Sequence, residues 1–281
     1  MDTASSSAPH PYDALTPDCV LDALSSVDLW PDGRLQPLGS YENRVYQACL
    51  DAPEQGSDKV VAKFYRPGRW SEAQVLEEHA FAQELLQAEV PVVAPWVLQG
   101  RTLHQHAGFA FSVSPWRGGR MPELDDWDTL EWLGRFLARL HVVGAQGRFV
   151  YRSVLNAQSM GYEPMQWLLT HADMPAHVRA RWQPVCEQAL TQAAQVLEAT
   201  PYHAIRLHGD CHPGNILWTP VDEEGRGGPH FVDLDDARMG PAIQDLWMCI
   251  SGDRMQRSQQ LSTLVEGYEQ IRDFDRRELA L

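Results

Sequence analysis

Cysteine is scarce in this chain. Its five residues, Cys19, Cys49, Cys186, Cys211 and Cys249, are odd in number, widely scattered and free of any CxxC pair. A disulfide framework is marked by an even set and a zinc ribbon by paired spacing, so neither is indicated, and a reducing compartment suits the chain. Positive charge is also short: 23 Lys and Arg face 38 Asp and Glu, a net charge of -15. Such a surface repels polyphosphate backbones and anionic lipid, which argues against nucleic acid and membrane as partners; its plainest role is solubility. No apolar run approaches the ~20 residues of a membrane span. The opening MDTASSSAPHPYD has neither a basic n-region nor an apolar h-region, so the expected location is the cytoplasm; the expected state is a monomer. No internal repeat is visible. At 281 residues the chain fits one large domain or two lobes with separate cores.

What is present changes character along the chain. Residues 1–10 are small, polar and Pro-containing, and are expected to form a disordered tail. Val20, Leu21, Ala23 and Leu24 follow a Thr16-Pro17 start signal with helical spacing. The runs 44-RVYQA-48 and 59-KVVAKFY-65, joined by the polar DAPEQGSD, predict an antiparallel hairpin. Ser71 can cap a helix reaching about Glu89, with Val75, Phe81, Leu85 and Leu86 as its apolar stripe. Phe109–Val113 predicts a further strand, closed by the breaker-rich 115-PWRGG-119. Beyond it, Asp128 with Glu131 resembles a capping box, and Leu130, Leu133, Phe136, Leu137 and Leu140 line one helix face. Helical pattern continues to about residue 199, with Trp167, Leu168, Val185, Leu190, Val196 and Leu197 as expected core. Strands first and helices second give an α+β plan with a tail at 1–10, an N-terminal nucleotide-binding lobe at 11–115 and a helical catalytic lobe at 116–281.

The chemistry concentrates in 208-HGDCHPGN-215. Asp210 and Asn215 are five residues apart with Pro213-Gly214 turning the chain between them, so a carboxylate and a carboxamide can face one pocket from one loop. That spacing matches the catalytic loop of phosphoryl-transfer enzymes, in which aspartate orients the acceptor hydroxyl and asparagine holds magnesium. Magnesium takes hard oxygen ligands and keeps several waters, so one more carboxylate suffices. Asp233, after the apolar Phe231-Val232 and across the polar VDEEGRGG hairpin, supplies it. Lys63 ends the run VVAK, the strand pattern of a phosphate-binding lysine. A glutamate on the next helix should orient it: Glu77 and Glu78 both qualify, and Glu78 is preferred because it keeps Phe81 and Leu85 on its own side of the helix.

The string HGDCHPGNILW, followed by FVDLDDAR and QDLW, resembles the aminoglycoside phosphotransferase and choline kinase branch of the protein-kinase superfold. With 40-SYENRVYQ-47, 63-KFYRPGRW-70 and 77-EEHAF-81, the chain is similar, over residues 12–280, to serine/threonine protein kinases of that branch. The resemblance implies a small antiparallel-sheet N-lobe, a larger helical C-lobe, and ATP and Mg2+ as cofactors. It implies Asp210 as catalytic base, Asn215 and Asp233 as metal ligands, Ser40 at the nucleotide, Lys63 and Glu78 at the phosphates, and Asp245 anchoring the catalytic loop. A protein Ser/Thr acceptor, autophosphorylation and a part in stress response are implied with it. The pattern departs from kinases at several points. Only Gly39 precedes the SYEN turn, so backbone amides of 39–43 replace a GxGxxG loop. DLD stands for DFG, and twelve residues from Asp233 to Asp245 leave little room for an activation segment switched by phosphorylation. The relatives that the resemblance points to continue with further helices beyond the position of Leu281, so part of the helical lobe is expected to be either absent or shorter.

Rival readings are a kinase of an aminoglycoside, choline, homoserine or sugar hydroxyl, which shares HGDxHxxN, and a silent pseudokinase, disfavoured because Lys63, Asp210, Asn215 and Asp233 are all present. A zinc site at His208, Cys211 and His212 lacks a fourth ligand in any recognised spacing. His208 reads better as a packed residue holding the loop, and Cys211 as buried. Asp235, alternating with Asp233 along an extended strand, either faces the metal or is a surface charge. Trp70 and Trp116 read as core or lobe-joint aromatics.

Overall fold

The computed structural model describes residues 10–220, 222 and 227–281; most of the expected tail and of the VDEEGRGG hairpin lies outside them. Among the described residues the chain is α+β, with antiparallel strands in its first part and helices dominating the second. It divides into two compact units, one comprising the chain to Gln83 with Val93–Gly118, the other Glu84–Val92 with Gly119–Leu281.

In the first unit, helix α1 (Pro17–Ser25) starts where Thr16 Oγ1 accepts the Cys19 amide at 3.2 Å. Five strands follow: β1 (Pro31–Leu38), β2 (Arg44–Glu54), β3 (Ser57–Phe64), β4 (His104–His106) and β5 (Phe109–Pro115), ordered β1-β2-β3-β5-β4 and antiparallel throughout. Much of the expected linker DAPEQGSD is strand. Gln55 and Gly56, both at positive φ (46° and 81°), turn the chain in two residues, the geometry that matches strand twist in a tight hairpin. Val20, Ala23 and Leu24 of α1 are buried with Val60, Ala62, Phe64, Phe111 and Val113 of the sheet, each large apolar side chain contributing about 1.5–3 kcal/mol. Helix α2 (Glu72–Gln87) begins with a reciprocal cap in which Ser71 Oγ accepts the Gln74 amide and Gln74 Oε1 accepts the Ser71 amide.

The second unit is built on α3 (Trp127–Gly144). Its cap is Asp126 rather than Asp128: the Asp126 carboxylate accepts the Thr129 amide at 3.3 Å and the Thr129 hydroxyl at 2.6 Å, which starts the helix two residues earlier than the sequence pattern suggested. Leu130, Leu133, Leu137 and Leu140 are fully buried, the first three packed with Leu264, Val265 and Tyr268 of α7 (Arg254–Glu269). A π-helical turn (Gln158–Tyr162) leads into α4 (Glu163–His171), and α5 (Ala176–Ala199) follows. The expected core there forms only in part, with Leu168, Leu190 and Leu197 half-buried. Trp167, Val185 and Val196 are exposed and α5 buries no residue completely, because apolar spacing becomes core only where another element lies against it. Short pairs complete the unit: β6 (Ile205–Leu207) with β9 (Arg238–Gly240), and β7 (Ile216–Thr219) with β8 (Gly228–Phe231), followed after β9 by α6 (Ile243–Trp247). No helix of the described residues is long and apolar enough to cross a membrane.

Candidate active site

The six predicted site residues fall into two sets, one in each unit. In the first unit, Lys63 stands mid-sheet, opposite Val45 on β2 and Ser112 on β5. Its Nζ lies 4.0 Å from Glu78 Oε1, with the two side chains 14 % and 8 % exposed. The ammonium also sits 5.2 Å over the Tyr65 ring. A side-chain network fixes α2 at this distance: Tyr65 Oη meets His79 Nε2 at 2.7 Å and Ser112 Oγ at 3.1 Å, and His79 Nδ1 meets Thr102 Oγ1 at 2.8 Å. Ser40 is half-buried in the loop leading from β1 into β2. That loop is tied to the end of β3: Glu42 pairs with Arg66 at 2.6 Å, Asn43 Oδ1 accepts the Arg66 amide at 3.1 Å, and the Tyr12 hydroxyl donates to both Glu42 O and Phe64 O. The sequence strings SYEN and KFYR are therefore two sides of one contact.

In the second unit, Asp210 follows β6, and Pro213–Asn215 forms a single 3-10 turn capped by His212, whose Nδ1 accepts the Gly214 amide at 3.0 Å. Asn215 Nδ2 donates to Asp210 O at 2.9 Å and to Asp210 Oδ2 at 3.3 Å, which turns its Oδ1 the other way. Val232 is held from both sides, its amide by Asn215 O at 3.0 Å and its carbonyl by His208 Nε2 at 2.9 Å. Asp233 comes next, exposed and in the left-handed region (φ 60°, ψ 60°), where aspartate is among the few side chains tolerated. The strand ends at Phe231, not beyond it as expected; Leu234–Asp236 is a 3-10 turn, and Asp235 is buried, its carbonyl accepting from Arg152. Asp235 is thus placed by a turn and not by strand alternation with Asp233. Asn215 and Asp233 offer hard oxygen donors, a set that fits a magnesium ion sharing phosphate oxygens and water. Among the described residues no three His, Cys, Asp or Glu side chains cluster as a metal site. Trp116, expected as a core or lobe-joint aromatic, is 36 % exposed, with Lys59 Nζ 4.9 Å over its ring.

A buried network beneath the loop centres on Asp245, expected as the loop's anchor, and on His141 and Tyr268, which the sequence did not point to. Asp245 accepts the His208 amide at 2.8 Å, the Gly209 amide at 2.9 Å and a hydrogen bond from His141 Nε2 at 3.0 Å; His141 Nδ1 in turn meets the Tyr268 hydroxyl at 3.0 Å. Burial alone would raise the Asp245 carboxyl, but the hydrogen bond and charge of His141, with His208 and the Gly209 amide, outweigh it and hold the group below the usual carboxylate range. The same burial pushes the Tyr268 hydroxyl up to about 12. His208 Nδ1 accepts the Asp210 amide at 3.4 Å, so Nε2 carries the proton given to Val232 O. Cys211 is fully buried, and its hydrogen bond with Cys249 together with burial pushes its thiol well above the ordinary value, so it is no nucleophile at neutral pH. Gly209 sits at φ +86° with the space for a Cβ filled by Asp236 O, 2.1 Å away. Gly209→Ala is expected to lower stability by about 1–3 kcal/mol and to displace the turn after Asp233; melting curves and phosphoryl-transfer rates check both.

The sequence profile of the phosphotransferase enzyme family matches residues 34–281. The chain belongs to that family. This phosphotransferase is 42 % identical over 270 residues to the serine/threonine protein kinase RdoA of Salmonella typhimurium LT2, covering 96 % of this chain and 79 % of that one. The stress response kinase A of Shigella flexneri is 43 % identical with the same coverage, and that of Escherichia coli K12 is 42 % identical. Among solved structures, the fold is similar to the amicoumacin kinase hAmiN in complex with AMP-PNP, Ca2+ and Ami, with a TM-score of 0.72, 21 % identity, and coverage of 92 % of this chain and 78 % of that one. A microcompartment-associated aminopropanol kinase gives a TM-score of 0.70 at 18 % identity, covering 94 % and 83 %.

Proposed function

We propose that this phosphotransferase transfers the γ-phosphoryl group of ATP to a serine or threonine hydroxyl of a protein, itself included, with Mg2+, as a cytoplasmic monomer in a stress response. The observation that carries the reading is the loop in which Asn215 is hydrogen-bonded to Asp210 while Val232, the residue before Asp233, is hydrogen-bonded to Asn215. In the proposed step the acceptor oxygen forms a bond to Pγ as the bond from Pγ to the β-γ bridging oxygen breaks, and the hydroxyl proton passes to Asp210. Asp210 orients the hydroxyl before it takes the proton. Lys63, held by Glu78, neutralises phosphate oxygens, and Ser40 with the 39–43 amides contacts the nucleotide. Asn215 and Asp233 would hold Mg2+, which when bound neutralises charge on the phosphates.

A protein acceptor is supported by the name of one relative above 40 % identity, the serine/threonine protein kinase RdoA. The small-molecule reading shares the HGDxHxxN string; the fold neighbours named for amicoumacin and aminopropanol, at 18–21 % identity, speak for the fold alone. Incubation with radiolabelled ATP and Mg2+ tests the proposal: label is expected on the chain and on added myelin basic protein. Label confined to choline, homoserine or an aminoglycoside would reject it. Lys63→Ala should lower kcat/KM by about 10–100-fold, the worth of one charge-assisted hydrogen bond, without lowering the melting temperature in step.

A further inference from the structure

Beside Asp210 the second unit has a hollow of about 300 Å³ lined by Asp210, Asp236, Arg238, Gln244, Met160 and Met248, among others. We infer that it receives an uncharged, apolar side chain next to the acceptor serine or threonine, with Met160 and Met248 as specificity-determining residues; the inference rests on the protein-kinase reading. Size is the first argument. Sites that bury drug-sized molecules span roughly 300–1,000 Å³, so this volume, at the bottom of the range, suits a side chain or two and leaves most of a multi-ring sugar outside.

Charge is the second. Its wall carries two carboxylates, and one of them is matched: Arg238 Nη2 lies 2.8 Å from Asp236 Oδ1 and Arg238 Nε donates to Asp236 O at 2.8 Å. A cationic acceptor, the kind the overall acidity would suggest, finds here a neutralised pair and only the carboxylate proposed for the chemistry. The third argument is the apolar surface itself. Met160 is 51 % exposed on the π-helical turn, a local form found often at functional sites, and Arg238 reaches across to its sulfur. Met248 follows α6, where Gln244 links it to the catalytic loop by donating to Gly209 O at 3.3 Å and to Met248 Sδ at 3.6 Å. Unbranched, polarisable methionine adapts to apolar side chains of differing shape, so the expected preference is for a class (Leu, Met, Phe) over any single residue.

The test is a panel of serine peptides varied at the positions flanking the acceptor, assayed with the full chain, Mg2+ and ATP. Wild type should favour Leu, Met or Phe over Lys or Glu at one flanking position by about tenfold in kcat/KM, the low end of apolar-pocket discrimination. Met160→Glu and Met248→Glu should each erase that preference and raise use of Lys-flanked peptides, while Met160→Leu keeps it; unchanged melting curves establish that the variants fold. A wild type that labels protein but is indifferent to the flanks, or a preference that survives both charge substitutions, overturns the subsite and leaves the kinase reading standing. Labelling of small hydroxyl compounds with no peptide or protein labelled overturns both.

Discussion

Asp210→Asn is expected to lower the phosphoryl-transfer rate by about 10²–10⁴-fold, the usual contribution of a positioned general base, or about 3–5 kcal/mol of barrier. Nucleotide affinity should move little. The substitution preserves shape, and the Asp210 main-chain oxygen that receives Asn215 Nδ2 is untouched, so Asn215 keeps its stronger tether at 2.9 Å. What is lost is the carboxylate oxygen, now 3.3 Å from Asn215 Nδ2 and 3.7 Å from His212 Nε2, as acceptor for the hydroxyl proton. Single-turnover rates alongside a titration with a fluorescent ATP analogue separate the two effects. Equal losses in rate and in affinity would show that Asp210 shapes the nucleotide site and would reject its assignment as base. Retention of more than a tenth of the rate would reject it as well.

The parts of the site that could be read from the sequence were those carried by short, locally folding strings. HGDCHPGN specifies its own turn: Pro213-Gly214 bends the chain, His212 caps it, and Asn215 is delivered back to Asp210 by two hydrogen bonds. The hairpin that presents Lys63 was equally visible, because strand alternation and β-branched residues mark it on both sides of the turn. Other features depend on partners distant along the chain and leave little local trace. His141 sits in the apolar stripe of α3 as Leu140-His141, where a lone histidine is more often a satisfied core residue; its meaning comes from Asp245, 104 residues later. Strand β1 escaped notice since PDGRLQPL contains two prolines and a glycine, which an edge strand tolerates because one side needs no ladder bonds. Val185 and Val196 erred in the other direction, since a 3.6-residue period states which face could be buried and not whether anything covers it.

Asp245 supports the second large effect. Its carboxylate and the His141 ring are both fully buried, and the carboxylate takes two backbone amides of the strand-to-loop junction at His208 and Gly209, directly before the proposed base. Asp245→Ala would leave those two amides and the His141 N–H without their acceptor in a dry interior, which is expected to lower stability by about 3–5 kcal/mol, the range for removing one partner of a buried pair. For a unit of this size that corresponds to a fall of roughly 6–20 °C in apparent Tm. Asp245→Asn retains one acceptor oxygen but turns an amino group toward a donor, so its loss should be smaller and still clear. The pH dependence gives a second, independent readout. Because the folded state holds the Asp245 carboxyl below its ordinary value, its stabilisation is complete above the unfolded carboxyl value near 4 and is lost as pH falls through the lower folded value. The gap in Tm between wild type and Asp245→Asn should therefore be constant from neutral pH down to about 5 and narrow below about 4. A gap that instead widened in acid would mean that Asp245 is protonated in the folded protein, and the amides of His208 and Gly209 would then be held by a neutral acid and not by a charge.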